Sequence, residues 1–171
     1  GAGPTGPTPL SPTRDVGAGS IRATDLSDAA LERAPVMGAE RTINVAKNAE
    51  ALLPYQDNKG YFDVVFDCSA AAPALRAAFA CVRPRGTVVQ VGVTGDITIP
   101  LNALVGKEIL WRGSQRFHDE FAIAARLIST RGIDVRPIIS HSFPLEVAKS
   151  ACEQAGDRSA ACTVQLTCSA E

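Results

Sequence analysis

Between residues 61 and 91 two apolar strands flank one alanine-rich helix, and this order restricts the chain to folds with parallel strands. Tyr61 to Phe66 reads Tyr-Phe-Asp-Val-Val-Phe, the aromatic and β-branched composition of a strand. Ala70 to Val82 predicts a helix, and Pro84-Arg85-Gly86 a turn. Thr87 to Val91 is a largely apolar strand, of the kind buried on both faces of a parallel sheet. A strand, a helix and a second strand in succession form a βαβ unit, which brings the chain back to run in the same direction.

The rhythm extends to both sides. Ser20 to Thr24 predicts a strand ending at Asp25, and Ser27 can cap a helix running to about Met37, which Gly38 stops. Arg41 to Val45 predicts a strand and Ala46 to Leu53 a short helix. Further on, Glu108 to Arg112 reads as a strand and Glu120 to Thr130 as a helix. Pro137 to Ser140 is expected to be extended, with a helix opening at Phe143-Pro144-Leu145 and a last strand at Thr163 to Thr167. The expected class is α/β, a doubly wound parallel sheet.

Composition sets outer limits. A chain of 171 residues holds one domain, or one domain and a piece of a second. Apolar residues make up 46% and charged residues 20%, enough for an ordinary core. The net charge of −1 gives no electrostatic reason to bind nucleic acid or an anionic membrane. No apolar run approaches the ~20 residues of a membrane span, and no secretory leader is legible. The expectation is a cytoplasmic protein missing its front end, since the chain opens on a glycine turn rather than on Met. Cys68, Cys81, Cys152, Cys162 and Cys168 are odd in number and show no C-x-x-C spacing. That predicts buried, reduced thiols rather than a disulfide framework or a local zinc site.

Gly1-Ala2-Gly3-Pro4-Thr5-Gly6 has the form G-x-G-x-x-G. In a dinucleotide-binding turn the first glycine permits the bend, the second admits a pyrophosphate, and the third lets the helix pack on the sheet. Glycine-rich loops are common, so the motif needs context. Asp25 supplies some: it ends the next strand, about 20 residues on, where an acid accepts hydrogen bonds from ribose hydroxyls and repels a 2′-phosphate. The alternative for Asp25 is a loop or helix-capping acid. The segment after the turn conflicts with a helix, because Pro7, Pro9 and Pro12 remove amides from it. By propensity, residues 7–16 form a loop.

With these features in place, the sequence resembles the zinc-type medium-chain alcohol and polyol dehydrogenases. Gly-Ala-Gly-Pro-x-Gly, the spacing to Asp25 and Met37-Gly38-Ala39 carry a likeness to its sorbitol dehydrogenase branch. Lys59 to Val64, Val89-Gln90-Val91-Gly92, Gly106-Lys107-Glu108-Ile109, Arg112 to Phe117, Ala155-Gly156-Asp157 and Val164-Gln165-Leu166 resemble the L-idonate 5-dehydrogenase branch. The likeness covers nearly the whole chain except residues 7–16.

The resemblance implies a Rossmann fold, truncated at its first strand, that binds NAD. Residues 1–117 would be the NAD-binding domain. Residues 118–171 would be a segment returning to an absent zinc-binding catalytic domain, with its apolar faces exposed. Gly1, Gly3, Thr5 and Gly6 would meet the phosphates, and Asp25 the adenosine ribose. Val91, Gly92 and Val93 would lie beside the nicotinamide, as would Gln115 and Phe117. Arg116 would face substrate as the candidate catalytic residue, because a guanidinium suits hydroxyl and carboxylate oxygens. The alternative for Arg116 is a surface or ion-paired arginine. Ala30 stands where sorbitol dehydrogenases often carry an arginine.

The family's zinc would be held by the missing domain, so this chain is expected to contribute no metal ligand. His118 and His141 read as surface or capping residues and Trp111 as packing. The implied reaction is NAD-dependent oxidation of a secondary hydroxyl of a sugar acid or polyol. The implied partners are a small-molecule substrate and, at full length, further copies of the chain, with no nucleic acid or membrane. This chain alone would be an inactive cofactor-binding fragment. A non-catalytic nucleotide-binding module and a zinc-free reductase of the same superfamily remain as competitors.

Overall fold

The βαβ alternation expected over residues 61–91 is present. The computed structural model describes residues 10, 13, 17–157 and 160–168. They form two compact units, residues 45–117 and a second drawn from residues before 45 and after 117.

In the first unit, β3 (Phe62–Asp67), β4 (Val82–Gln90) and β5 (Leu110–Gly113) form a parallel sheet in that order. The crossover between β3 and β4 is α2 (Ala72–Cys81), with Pro73 in its first turn, where a missing N–H is harmless. The face of α2 carrying Leu75, Ala78 and Phe79 packs with Val82, Val88 and Ile109, and Leu75, Phe79, Val82 and Val88 are fully buried. Removing a side chain such as Phe79 would cost about 3–5 kcal/mol. Trp111 stacks edge-on against Phe79 at a 5.5 Å centroid separation, the packing role expected of it.

Several boundaries differ from expectation. The turn at residues 84–86 lies inside β4, where the pairing shifts register between Phe62↔Val82 and Val64↔Thr87. The helix expected from Ala46 is a 3-10 helix over Ala49–Tyr55 that contains Pro54; Asn48 caps it by accepting from the Ala51 amide at 3.1 Å. The sequence reading did not anticipate α3 (Leu101–Gly106). Six residues are too few to show a helical period.

In the second unit, β1 (Arg22–Asp25) and β2 (Arg41–Asn44) pair in parallel. Between them α1 spans only Asp28–Glu32, not the run to Met37. Pro35 explains the early stop, since it has no amide to donate and biases Ala34 away from helical geometry. Tight turns then carry the chain to Gly38. Ile21, Ala23, Leu31, Ala34 and Ala39 form this unit's core. β6 (Ile139–Pro144) and β7 (Thr163–Thr167) form another parallel pair, with α5 (Ala148–Gly156) between them in sequence. α4 (Glu120–Ser129) exposes Phe121, Ile123, Leu127 and Ile128, the open apolar face expected of this segment.

All described strand pairs are parallel, in sheets of two, three and two strands, so the architecture is α/β and Rossmann-like. Among the described residues no helix is long and apolar enough to cross a membrane. All five cysteines are free, but the expectation that they are buried fails for most. Only Cys81 is buried, while Cys152 and Cys168 are exposed because they fall on the open side of α5 and just past the end of β7.

Candidate functional site

Gln90 pairs with Gly113 in register, so β4 and β5 release their chains side by side at one edge of the sheet. Val91, Gly92 and Val93 leave β4 there, and Gln115, Arg116 and Phe117 follow β5. The Ser114 amide donates to the Gln90 carbonyl at 2.9 Å and ties the two exits together. This is the C-terminal edge of parallel strands, where open α/β sheets bind their ligands. Six of the residues singled out from the sequence are thus brought together by strand pairing.

They are presented differently. Val91 and Gly92 are half-buried, whereas Val93, Gln115, Arg116 and Phe117 are exposed. Arg116 has φ +54°, a left-handed conformation uncommon outside glycine. Its guanidinium makes no hydrogen bond or ion pair among the described residues.

Gly92 is required by contact. A Cβ there would lie 2.6 Å from the Ala70 nitrogen and 2.9 Å from the Cys68 carbonyl carbon. The turn after β3 therefore presses directly on the exit of β4.

Asp67, the last residue of β3, organises this edge and was missed in the sequence reading. It is 3% exposed, the one polar or charged residue among those fully buried in the described part of the chain. Its Oδ1 accepts from the Ser69 amide at 3.1 Å and the Ser69 hydroxyl at 2.7 Å. Its Oδ2 accepts from the Ala70 amide at 3.2 Å and from Gln90 Nε2 at 2.7 Å. Its main-chain carbonyl accepts from the Val91 and Gly92 amides at 2.8 and 2.9 Å. Such bonding offsets the cost of burying a carboxylate. The available signal was an acid ending an apolar strand with serine two residues on, the pattern of an Asx-turn.

Asp25 belongs to the second unit, at the C-terminal end of β1. Its Oδ1 accepts from the Leu26 amide at 2.8 Å and the Ser27 amide at 2.9 Å, while Ser27 makes no side-chain cap. The carboxylate, not the serine, orders the entry to α1. A groove of about 370 Å³ nearby is lined by Asp28, Leu31, Glu32, Pro35, Thr42 and Asn44, none of them a residue singled out from the sequence. Gly1, Gly3, Thr5 and Gly6, and most of residues 7–16, lie outside the described residues.

One feature of the first unit fits the nicotinamide end of a dinucleotide. Gln90 Oε1 is buried with no hydrogen-bond partner among the described residues. Both partners of Gln90 Nε2 are acceptors, Asp67 Oδ2 and the Gly92 carbonyl, which fixes the orientation of the amide. An amide-bearing ligand has the donor that Oε1 lacks, as does water.

Zinc is a different case. Among the described residues no group of three or more His, Cys, Asp or Glu side chains could hold a metal ion. The described residues therefore do not fit the metal. His118 is exposed, and His141 Nδ1 lies 3.0 Å from Ser140 Oγ, with its ring stacked on Phe143.

Parallel strands with helices between them in sequence define a Rossmann-like fold. The chain belongs to the zinc-binding dehydrogenase family, whose profile matches residues 12–130. It is 34% identical to L-idonate 5-dehydrogenase (NAD(P)(+)) of Escherichia coli strain K12, covering 97% of this chain and 48% of that protein. Sorbitol dehydrogenase of Macaca fascicularis is 29% identical over 90% of this chain and 44% of its own length. The crystal structure of the E. coli L-idonate 5-dehydrogenase superposes with a TM-score of 0.93 over 98% of this chain and 48% of that one. Alcohol dehydrogenase TADH from Thermus sp. ATN1 has a TM-score of 0.86 at 30% identity, over 98% of this chain and 49% of its own. The chain spans about half the length of the curated relatives it matches.

Proposed function

We propose that the chain supplies the NAD-binding part of a zinc-type dehydrogenase that oxidises a secondary hydroxyl of a sugar acid or polyol. One observation carries this reading: 34% identity and a TM-score of 0.93 to L-idonate 5-dehydrogenase across 98% of the chain. In this reading residues 1–117 bind the dinucleotide and residues 118–171 associate with the part that holds zinc. Gly1, Gly3, Thr5 and Gly6 receive the pyrophosphate on backbone amides. Asp25 accepts hydrogen bonds from the adenosine ribose. Val91, Gly92, Val93, Gln115 and Phe117 orient the nicotinamide end, and Arg116 donates to an oxygen of the substrate.

A nicotinamide held at these strand ends would supply hydride-transfer chemistry. The chain's own contribution is placement: rigid strand ends hold the ring while Arg116 orients the substrate oxygen. Calorimetric titration with NADH tests the cofactor half, and absence of binding sinks it. NAD reduction by the active dehydrogenase with L-idonate, sorbitol and xylitol tests the substrate half, and turnover confined to primary alcohols overturns it.

A further inference from the structure

Gly92 is gripped at both of its main-chain polar groups by a device that begins in the neighbouring strand. Its amide donates to the Asp67 carbonyl at 2.9 Å, and its carbonyl accepts from Gln90 Nε2 at 2.9 Å. The same Nε2 donates to Asp67 Oδ2 at 2.7 Å. Asp67 is itself held by the Ser69 and Ala70 amides, so the anchor is fixed from the turn after β3. The Gln90 carbonyl meanwhile holds the Ser114 amide, one residue before Gln115. The carboxylate and the carboxamide thus join the ends of β3 and β4, and the Gln90 main-chain carbonyl ties β4 to the exit of β5.

We propose that Asp67 and Gln90 are positioning residues for the nicotinamide end of the cofactor. They set the Val91-Gly92-Val93 backbone through a buried carboxylate–carboxamide bridge, and Gln90 is its adjustable member. This inference rests on the NAD-binding reading given above. The chemistry favours positioning over simple core packing. A core at this point needs only apolar volume, yet the sequence buries a carboxylate with no cationic partner among its described bonds. It then spends both donors of the glutamine, one on that carboxylate and one on the backbone of the candidate site.

The test separates the two ends of the dinucleotide. NADH and ADP-ribose, which lacks the nicotinamide, are titrated against wild type and Gln90→Met, which keeps the volume but has no donor. The variant should bind NADH about tenfold or more weakly and ADP-ribose within about twofold of wild type, the scale of one or two lost hydrogen bonds. Thermal melting shows whether the variant is folded. If Gln90→Met does not fold, Gln90→Asn replaces it. Its amide is one methylene too short to reach both Asp67 and Gly92, and the same selective loss is expected. Equal weakening of both ligands, or no change in either, overturns the positioning role. If wild type binds neither ligand, the NAD-binding reading itself fails, and this inference with it.

Discussion

Lys107 Nζ donates to the Phe79 carbonyl at 2.6 Å and to the Ala80 carbonyl at 3.1 Å, so the ammonium closes the C-terminal end of α2. Helix ends leave carbonyls without intrahelical donors, and a cation there also meets the negative end of the helix dipole. Burial pushes the Lys107 pKa down, with the neighbouring Cys81 acting in the opposite direction. Lys107→Met should lower stability by about 1–2 kcal/mol, because the stem still packs but both charge-assisted bonds are lost. Urea denaturation reads this directly. A midpoint equal to wild type would mean that water caps the helix equally well.

Gly92 and Gly95 make a matched pair. A Cβ on Gly92 meets backbone at 2.6 and 2.9 Å, whereas one on Gly95 meets nothing within 4 Å. Gly92→Ala should therefore cost about 1–3 kcal/mol by forcing β3's turn away from β4. Gly95→Ala should stay within about 0.5 kcal/mol of wild type. Comparable losses in the two variants would show that the close approach at Gly92 is not rigid.

How much of this was legible in the sequence depends on the strength of each local signal. The strands β3 and β4 and the helix α2 were readable because apolar residues run long enough to show their character. Helix α3 was not, since Leu101–Gly106 completes fewer than two turns behind Pro100. Helix α1 was overextended because Ser27 and Gly38 bracket the whole run as start and stop signals, while Pro35 ends the helix sooner. The edge formed by Val91 to Val93 and Gln115 to Phe117 came from family likeness, and strand register supplies its physical reason. Asp67 escaped because its role lies in contacts to Gln90 and Gly92, more than 20 residues away, which a local pattern does not encode. Lys107 stood inside a recognised motif, but only three-dimensional proximity to Phe79 explains it.

Asp134 offers a pH-dependent signature. Its carboxylate accepts from Arg136 at Nε, Nη2 and the backbone amide, at 2.8, 2.7 and 3.0 Å. The Arg136 side-chain hydrogen bonds hold its pKa at about 2, below the ordinary 3.8. A depressed acid contributes stability above its unfolded pKa and loses that contribution as pH falls through the folded value. Wild type and Asp134→Asn should therefore differ most above pH 3.8 and converge as pH approaches about 2. The pair is exposed, so the difference should be small and weaken further in high salt. A gap that widens on acidification would contradict the assignment.

Arg116 tests the substrate side of the site. If its guanidinium orients a substrate oxygen, Arg116→Ala in the active dehydrogenase should lower kcat/KM for the alcohol by about tenfold or more. NADH affinity should change less. An unchanged kcat/KM across idonate, sorbitol and xylitol would leave Arg116 as an exposed arginine with no part in the reaction.

Asp25 should decide between the two nicotinamide cofactors. Its carboxylate ends β1 and is oriented by the Leu26 and Ser27 amides, which bind one oxygen at 2.8 and 2.9 Å. A ribose with free hydroxyls can donate to such a carboxylate. A 2′-phosphate, carrying about −1.5 to −2 charge, can only accept and is repelled. Two unit charges 4 Å apart interact by about 4 kcal/mol at an effective dielectric of 20, and salt reduces that. NADH should therefore bind at least about tenfold more tightly than NADPH, the equivalent of about 1.4 kcal/mol. Asp25→Ser removes the charge but keeps an oxygen that can accept, so the preference should narrow toward parity. The E. coli relative has both cofactors in its name, NAD(P)(+), so discrimination in this chain is a property to measure. Titration of both nucleotides against both proteins, with melting curves to confirm folding, gives the answer. Equal affinities in wild type would return Asp25 to the role of ordering the start of α1, and an Asp25→Ser variant with undiminished preference would do the same.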